Sequence, residues 1–234
     1  MSLIARTNPR PIKYTINPNP YAKGSVIVEC GNTKVYVAVT VEESVPPFLK
    51  GKSQGWITAE YSMLPSSTHQ RIKRERNGAS GRTQEIQRLI GRSLRAIIDL
   101  KKLGERTIQV DCDVIVADGG TRTTSISGAY VALELAVRSL MNEGLIKESP
   151  IKEQLAAISV GINKEHKIIA DLNYEEDSSC ETDMNVVMTR SGKFVEVQGT
   201  AEGEPFSADH LQGLLECAKT CLAEVFEAQN KALL

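Results

Sequence analysis

No apolar run in this 234-residue sequence approaches the roughly 18 residues that a membrane helix needs, and the N-terminal stretch shows no signal-peptide pattern. Neither a membrane span nor secretion is expected. The five cysteines, at positions 30, 112, 180, 217 and 221, form no CxxC pair and no metal-ligand spacing. A scattered, odd set of this kind belongs to a reducing compartment rather than to a disulfide framework, so a cytoplasmic location is expected. Cys217 and Cys221, four apart in a helical pattern, read as packing residues. Net charge is also nearly absent, at −1, so any nucleic-acid partner must be held by a local basic patch. Neither GxxxxGK[ST] nor GxGxxG occurs. None of the histidines at 69, 166 and 210 sits in a pattern that demands catalysis, and no covalent nucleophile stands out.

What is present is ordinary for a folded protein: 41% hydrophobic and 24% charged residues. Residues 1–20, rich in Pro and Asn, read as an extended arm. Residues 24–45 form two β-branched runs joined at Gly31-Asn32, and 55–63 another strand. A polar loop over 64–81 precedes a helical pattern from Thr83 to Leu103, stopped by Gly104. "RTIQVDCDVIVAD" is a strand, and "AYVALELAVRSLMNE" a helix closed at Gly144. "LAAISVGI" and "KIIADLNY" pair around 163–166. "DMNVVMTRSGKFVEVQGTA" is a hairpin turning at Ser191-Gly192, and a last helix follows Pro205 and Ser207. This order favours an α+β fold of mixed sheets and helices, read as one domain over 1–234.

Three polar constellations stand out. In "ADGGTRTTSISGAY" (117–130), glycines allow close backbone approach to an anion, the following helix N-terminus adds partial positive charge, and Arg122 can clamp a phosphate. The hydroxyls at 121, 123, 124 and 125 could donate the rest. The same stretch reads equally well as a glycine turn with Ser/Thr capping. The second constellation is basic: Arg71, Lys73, Arg74, Arg76, Arg82, Arg88 and Arg92 against Glu75 and Glu85 give residues 71–92 a charge of +5. Its loop half can follow a phosphate backbone. Its helical stripe, Arg88-Arg92-Arg95, reads as a solvated face or a subunit contact. The third is acidic: Asp171, Glu175, Glu176, Asp177, Glu181 and Asp183 in "DLNYEEDSSCETD" can hold a hard cation such as Mg²⁺, or can form a solvated turn. Together the three fit phosphoryl or nucleotidyl transfer, where positioning and charge neutralisation dominate.

"VPPFLKG", "GWITAEYSMLP", "SGRTQEIQRLIGRSLRA", "LGERTIQVDCDVI", "ADGGTRTTSISGAY", "NYEEDS", "ETDMNVVMT" and "FVEVQGTAE" resemble, in order from about residue 10 onward, the ribonuclease PH family. The resemblance implies a ribosomal protein S5 domain 2-like fold and a phosphorolytic 3′→5′ exoribonuclease (a tRNA nucleotidyltransferase) that trims tRNA precursors and other structured ends such as rRNA. Inorganic phosphate is its co-substrate, nucleoside diphosphates are released, and the reaction is reversible. It also implies a homohexamer, a trimer of dimers. By the same resemblance, phosphate is held by Arg82, Gly120, Thr121 and Arg122. Mg²⁺ or Mn²⁺ is held by Asp177 and Asp183, with Asp183 assisting proton transfer, and Arg82 and Arg122 share the catalytic role. RNA is contacted by Arg71 and Arg74. A catalytically silent ring subunit would lack these arginines and aspartates, and all are present. Two departures stand apart from the phosphate and metal residues: residues 6–12 read "RTNPRPI" where the family has "RxDGR…ELRPI", which bears on assembly or RNA entry, and Ser66 stands where it often has arginine, which bears on an RNA contact.

Overall fold

The computed structural model describes residues 4–76 and 78–234; residues 1–3 of the expected arm lie outside them. The first sheet contains β2 (Ile12–Ile16), β3 (Gly24–Cys30), β4 (Thr33–Glu42), β5 (Trp56–Met63) and β6 (Thr107–Val116), ordered β2-β3-β4-β6-β5. Its strands pair antiparallel except β5 and β6, which run parallel. A parallel pair needs a crossover. Here it is α1 (Gly81–Ala96) and α2 (Leu100–Leu103).

The second sheet contains β1 (Ile4–Arg6), β7 (Leu155–Ile162), β8 (Ile168–Ala170), β9 (Thr182–Thr189) and β10 (Phe194–Ala201), ordered β1-β8-β7-β9-β10. Three further helices complete the chain: α3 (Thr121–Asn142), α4 (Tyr174–Ser179) and α5 (Ala208–Leu233).

Helix α3 packs on β3, β4 and α1 on one side and on β7 on the other; α5 covers the far face of β7 and β8. Every residue of β7 is buried. That explains its unbroken apolar sequence, since a strand covered on both faces has no solvent side to alternate toward. One core joins the inner face of the first sheet to α1, α3, Leu155 and Ala157; a second lies between Ala156, Ile158 and Val160 and the α5 residues Leu214, Cys217, Cys221 and Leu222. All five cysteines are buried free thiols, as packing residues should be.

Sequence expectation and structure differ at three places. The expected arm is extended, yet it is woven into both sheets: β1 runs beside β8 and β2 beside β3. The helix expected over 83–103 stops at Ala96 and resumes at Leu100. Between them Ile98 bridges Ile151, and Asp99 caps α2 by accepting from Lys101 N at 3.0 Å. Ile97 and Ile98 are both buried at this break. The third difference, the start of α3, shapes the site.

One buried polar residue ties the layers together. Gln229 of α5 is fully buried and donates through Nε2 to Ser127 O and Leu155 O, both at 3.0 Å, while accepting from Gln154 at 2.8 Å. Replacing it by leucine strands these partners in the core. Gln229→Leu is expected to cost about 1–3 kcal/mol, read from the urea unfolding midpoint.

Candidate active site

After β6 the chain turns through Asp118, Gly119 and Gly120 and enters α3 at Thr121. Both glycines lie in the left-handed region, at φ of 73° and 63°. Gly119 is also hemmed in: a Cβ there would lie 2.2 Å from Leu172 O. The turn therefore rests directly on the backbone that leads into α4. The first N–H groups of α3 have no partner within the helix, and they sit at its positive end.

Most of "ADGGTRTTSISGAY" is thus helix, and most of its hydroxyls face inward. Thr123 Oγ1 donates to Gly120 O at 2.9 Å, Ser125 Oγ to Thr121 O at 2.8 Å, and Ser127 Oγ to Ala157 O at 3.2 Å. Thr124 is buried. Of the two readings of these hydroxyls, an anion cradle or local capping, the geometry favours the second: Thr123 and Ser125 bond carbonyls of their own chain and Thr124 is buried. Thr121 differs. Its Oγ1 accepts from Tyr61 OH at 3.0 Å, which leaves its own hydrogen free to donate. Burial holds the Tyr61 phenol above its ordinary pKa, against the opposing influence of Thr121, Arg82 and Arg122. It stays a neutral donor.

Arg122 is only 15% exposed; its Nη1 donates to Gln198 Oε1 at 3.0 Å and to Glu85 Oε1 at 3.4 Å, so β10 and α1 fix it from two sides. Arg82 stands exposed in the first turn of α1, whose start is capped by Ser80 Oγ accepting from Thr83 N. Tyr61, Gln198 and Glu85 escaped the sequence reading because they are far apart in the chain and none carries a motif of its own.

Across from the arginines lie the carboxylates of Asp177, on α4, and Asp183, on β9. Burial raises the Asp177 carboxyl above its usual value, and Arg82 and Arg122 pull it back; burial and the Asp177 charge raise Asp183, with Arg122 opposing. Glu202 adds repulsion at both. These electrostatic influences put the two guanidinium groups and the two carboxylates in one neighbourhood. Neither aspartate makes an ion pair among the described residues. No group of three or more His, Cys, Asp or Glu side chains there forms a metal cage. Two hard, unpaired carboxylates fit a hydrated Mg²⁺, which keeps most of its waters.

The other four members of the acidic run have separate partners or none. Asp171 is buried against Arg10 at 2.8 Å, Glu176 meets Arg6 at 2.7 Å, Glu181 meets His166 at 3.1 Å, and Glu175 is exposed. Of the six carboxylates in the run, Asp177 and Asp183 are the two that feel Arg122 and carry no ion-pair partner among the described residues.

The loop after β5 folds back over that strand, bounding a cleft of about 440 Å³ lined by Tyr61, Lys73, Arg74, Arg76 and Arg82. Arg71 is exposed on the same loop outside this lining. Along the helical stripe Arg88 and Arg92 are exposed, as a solvated face requires, although Arg92 also holds Glu196 through two bonds at 2.6–2.7 Å; Arg95 is partly buried, 4.5 Å from the Trp56 ring centre, and donates to Ile57 O.

Residues 8–138 match the 3′ exoribonuclease family, domain 1, and residues 153–221 match its domain 2. A protein named Ribonuclease PH from Bacillus subtilis (strain 168) is 57% identical over 226 residues, covering 96% of this chain and 92% of that protein. Another of that name, from Neisseria meningitidis (strain FAM18), is 55% identical and covers 96% and 93%. Among solved structures, rice (Oryza sativa) Rrp46 superposes with a TM-score of 0.80 at 18% identity over 98% of each chain. The Archaeoglobus fulgidus exosome with RNA bound to its active site superposes at 0.77 with 20% identity, over 94% and 89%. These two likenesses bear on the fold.

The raised aspartates give a stability prediction. A carboxyl whose folded pKa exceeds its unfolded value keeps its proton longer in the native state. Stability then falls as pH rises from the ordinary carboxylate range, about 3.9, through the raised value. In chelator at neutral pH, Asp183→Asn should therefore raise the melting temperature, and the gain should vanish at pH values below the ordinary carboxylate range. Scanning calorimetry across pH checks this; a neutral-pH decrease contradicts it.

Proposed function

The chain belongs to the ribonuclease PH family of 3′ exoribonucleases, and we propose that its phosphate-dependent 3′→5′ exoribonuclease activity is carried by Arg82, Gly120, Thr121, Arg122, Asp177 and Asp183. The observation that carries this reading is the meeting of two guanidinium groups, two carboxylates and the N-terminus of α3. The site draws on both matched segments, so residues 1–234 act as one unit.

Inorganic phosphate is a weak nucleophile that must approach another anion. Arg122, held by Gln198 and Glu85, and Arg82 offset that repulsion, while the Gly120–Arg122 backbone and the free Thr121 hydrogen orient the attacking oxygen. That oxygen forms a bond to the phosphorus of the 3′-terminal nucleotide. The bond from phosphorus to the preceding 3′ oxygen breaks, and a nucleoside diphosphate leaves. The attacking hydrogen phosphate gives up its proton and the 3′ oxygen of the shortened RNA takes one, with Asp183 passing the proton between them. Asp177 and Asp183 hold Mg²⁺ or Mn²⁺, which when bound supplies charge stabilisation for the leaving oxygen.

The RNA strand enters along the cationic cleft. Arg74 lines it and Arg71 flanks it, contacting phosphate and sugar without reading sequence. Lys73 and Arg76 share the lining and offset the absence of arginine at Ser66. The substrates are tRNA precursors and other structured RNA 3′ ends. The working form is a homohexamer, a trimer of dimers, in the cytoplasm; no described helix is long and apolar enough to cross a membrane.

A 3′-extended tRNA incubated with and without phosphate tests the reaction. Nucleoside diphosphates that appear only with phosphate and Mg²⁺ are expected; monophosphates without phosphate would overturn it. Arg122→Ala should raise the apparent KM for phosphate at least about tenfold, the worth of one charge-assisted contact, with RNA binding by filter assay largely unchanged. An unaltered phosphate KM would remove Arg122 from the seat.

A further inference from the structure

Asp171 is 1% exposed and adopts the left-handed conformation, φ 53°, at a non-glycine position. A buried carboxylate is tolerated only when paired and fully hydrogen-bonded. Arg10 supplies nearly all of that. Its backbone N and Nε donate to Oδ2 at 2.7 and 2.8 Å, and Nη2 donates to Oδ1 at 2.8 Å; Cys30 Sγ adds a contact at 3.3 Å. This pair lies immediately behind the glycine turn. A Cβ on Gly120 would come within 3.3 Å of Arg10 Nη2 and 3.7 Å of Asp171 Oδ1.

The rest of the Arg10 guanidinium grips the turn itself. Nη1 donates to Asp118 O at 2.5 Å and Nη2 to Gly119 O at 3.4 Å. Thr33, fully buried, reinforces it: Oγ1 donates to Gly119 O at 2.6 Å and accepts from Asp118 N at 3.0 Å. Because a trans peptide holds its C=O and N–H on opposite sides, drawing Gly119 O inward aims Gly120 N–H outward.

We infer that Arg10, with Thr33, is a positioning residue for phosphorolysis: it braces the Asp118–Gly119–Gly120 turn so that backbone N–H groups face the incoming phosphate. It also neutralises the Asp171 carboxylate that would otherwise repel that phosphate from behind. The inference rests on the reading of Gly120–Arg122 as the phosphate seat. Two effects are separable. Arg10→Gln loses both the brace and the neutralising charge. Arg10→Gln/Asp171→Asn removes the buried charge but not the defect in the brace. Thr33→Val removes one hydroxyl from the brace, conserves shape and leaves the ion pair intact.

The test measures steady-state phosphorolysis of a 3′-extended RNA while varying phosphate and RNA separately. Melting temperatures and calorimetric titration with inorganic phosphate accompany it. Arg10→Gln should raise the phosphate KM about tenfold or more, and Thr33→Val about threefold or more, each with the RNA KM within about twofold; these are the sizes expected for losing charged and neutral hydrogen bonds. Arg10→Gln/Asp171→Asn should recover part, but not all, of the phosphate affinity, and Arg10→Lys should fall between wild type and Arg10→Gln. If Arg10→Gln does not fold, Thr33→Val carries the test alone. Lowered melting temperatures with an unchanged phosphate KM in Thr33→Val and Arg10→Gln would make the brace merely structural and overturn the inference. Arg122→Ala, run alongside, separates the failures: if it too leaves phosphate affinity unchanged, the phosphate seat itself is misplaced and the brace falls with it.

Discussion

Helix α3 has to be buried on nearly every side while its first two residues stay partly exposed, and much of the structure follows from that constraint. Thr123 through Leu133 is an unbroken buried stretch, packed between the first sheet and β7. A helix held so firmly cannot tilt or fray, so its free N–H groups keep their direction without a side-chain cap. An ordinary N-cap would fill the space an anion needs; Gly120 fills none of it. The same core that stabilises the protein therefore fixes the aim of the N–H groups proposed to seat phosphate.

The strands were legible because their sequences match what their faces meet. Alternating Val and polar residues in β3 and β4 mark sheets covered on one side, while β7 reads as a continuous apolar run because α3 and α5 cover both of its faces. The start of α3 was not legible. Thr-Thr-Ser-Ile-Ser looks like a loop, since hydroxyl residues compete with helical hydrogen bonding. Here Thr123 and Ser125 bond back to the carbonyls of their own helix and Ser127 bonds across to β7, so polarity along the chain concealed a buried helix. The break at Ile97–Asp99 was hidden for the opposite reason, because its isoleucines continue the helical period while their burial is settled by a partner at Ile151.

The site divides in the same way. Arg82, Gly120, Thr121, Arg122, Asp177 and Asp183 sit in compact motifs, and a resemblance carried by motifs could find them. Their supports could not be found so. Arg10 and Asp171 are 161 positions apart, Arg122 and Gln198 are 76 apart, and Tyr61 and Thr121 are 60 apart. No local pattern encodes such pairs; only the closing of two sheets around α3 brings them together.

The acidic segment shows how the fold sorts like charges. Six carboxylates within 13 residues would repel one another if all remained free. Arg10 takes Asp171, Arg6 takes Glu176 and His166 takes Glu181, each from outside the run. Two of these partners, Arg6 and Arg10, come from the N-terminal arm, whose strands enter both sheets. With those three satisfied and Glu175 left to solvent, Asp177 and Asp183 alone face Arg82 and Arg122 without an ion-pair partner among the described residues. Both carboxyls are held above their usual values, so their charged forms are underpaid by the protein alone. A group left in that condition gains most when a cation arrives, whereas a saturated salt bridge would gain little. In the proposed mechanism the arm thus contributes without touching a substrate: by occupying Asp171 and Glu176, it helps to leave Asp177 and Asp183 unpaired.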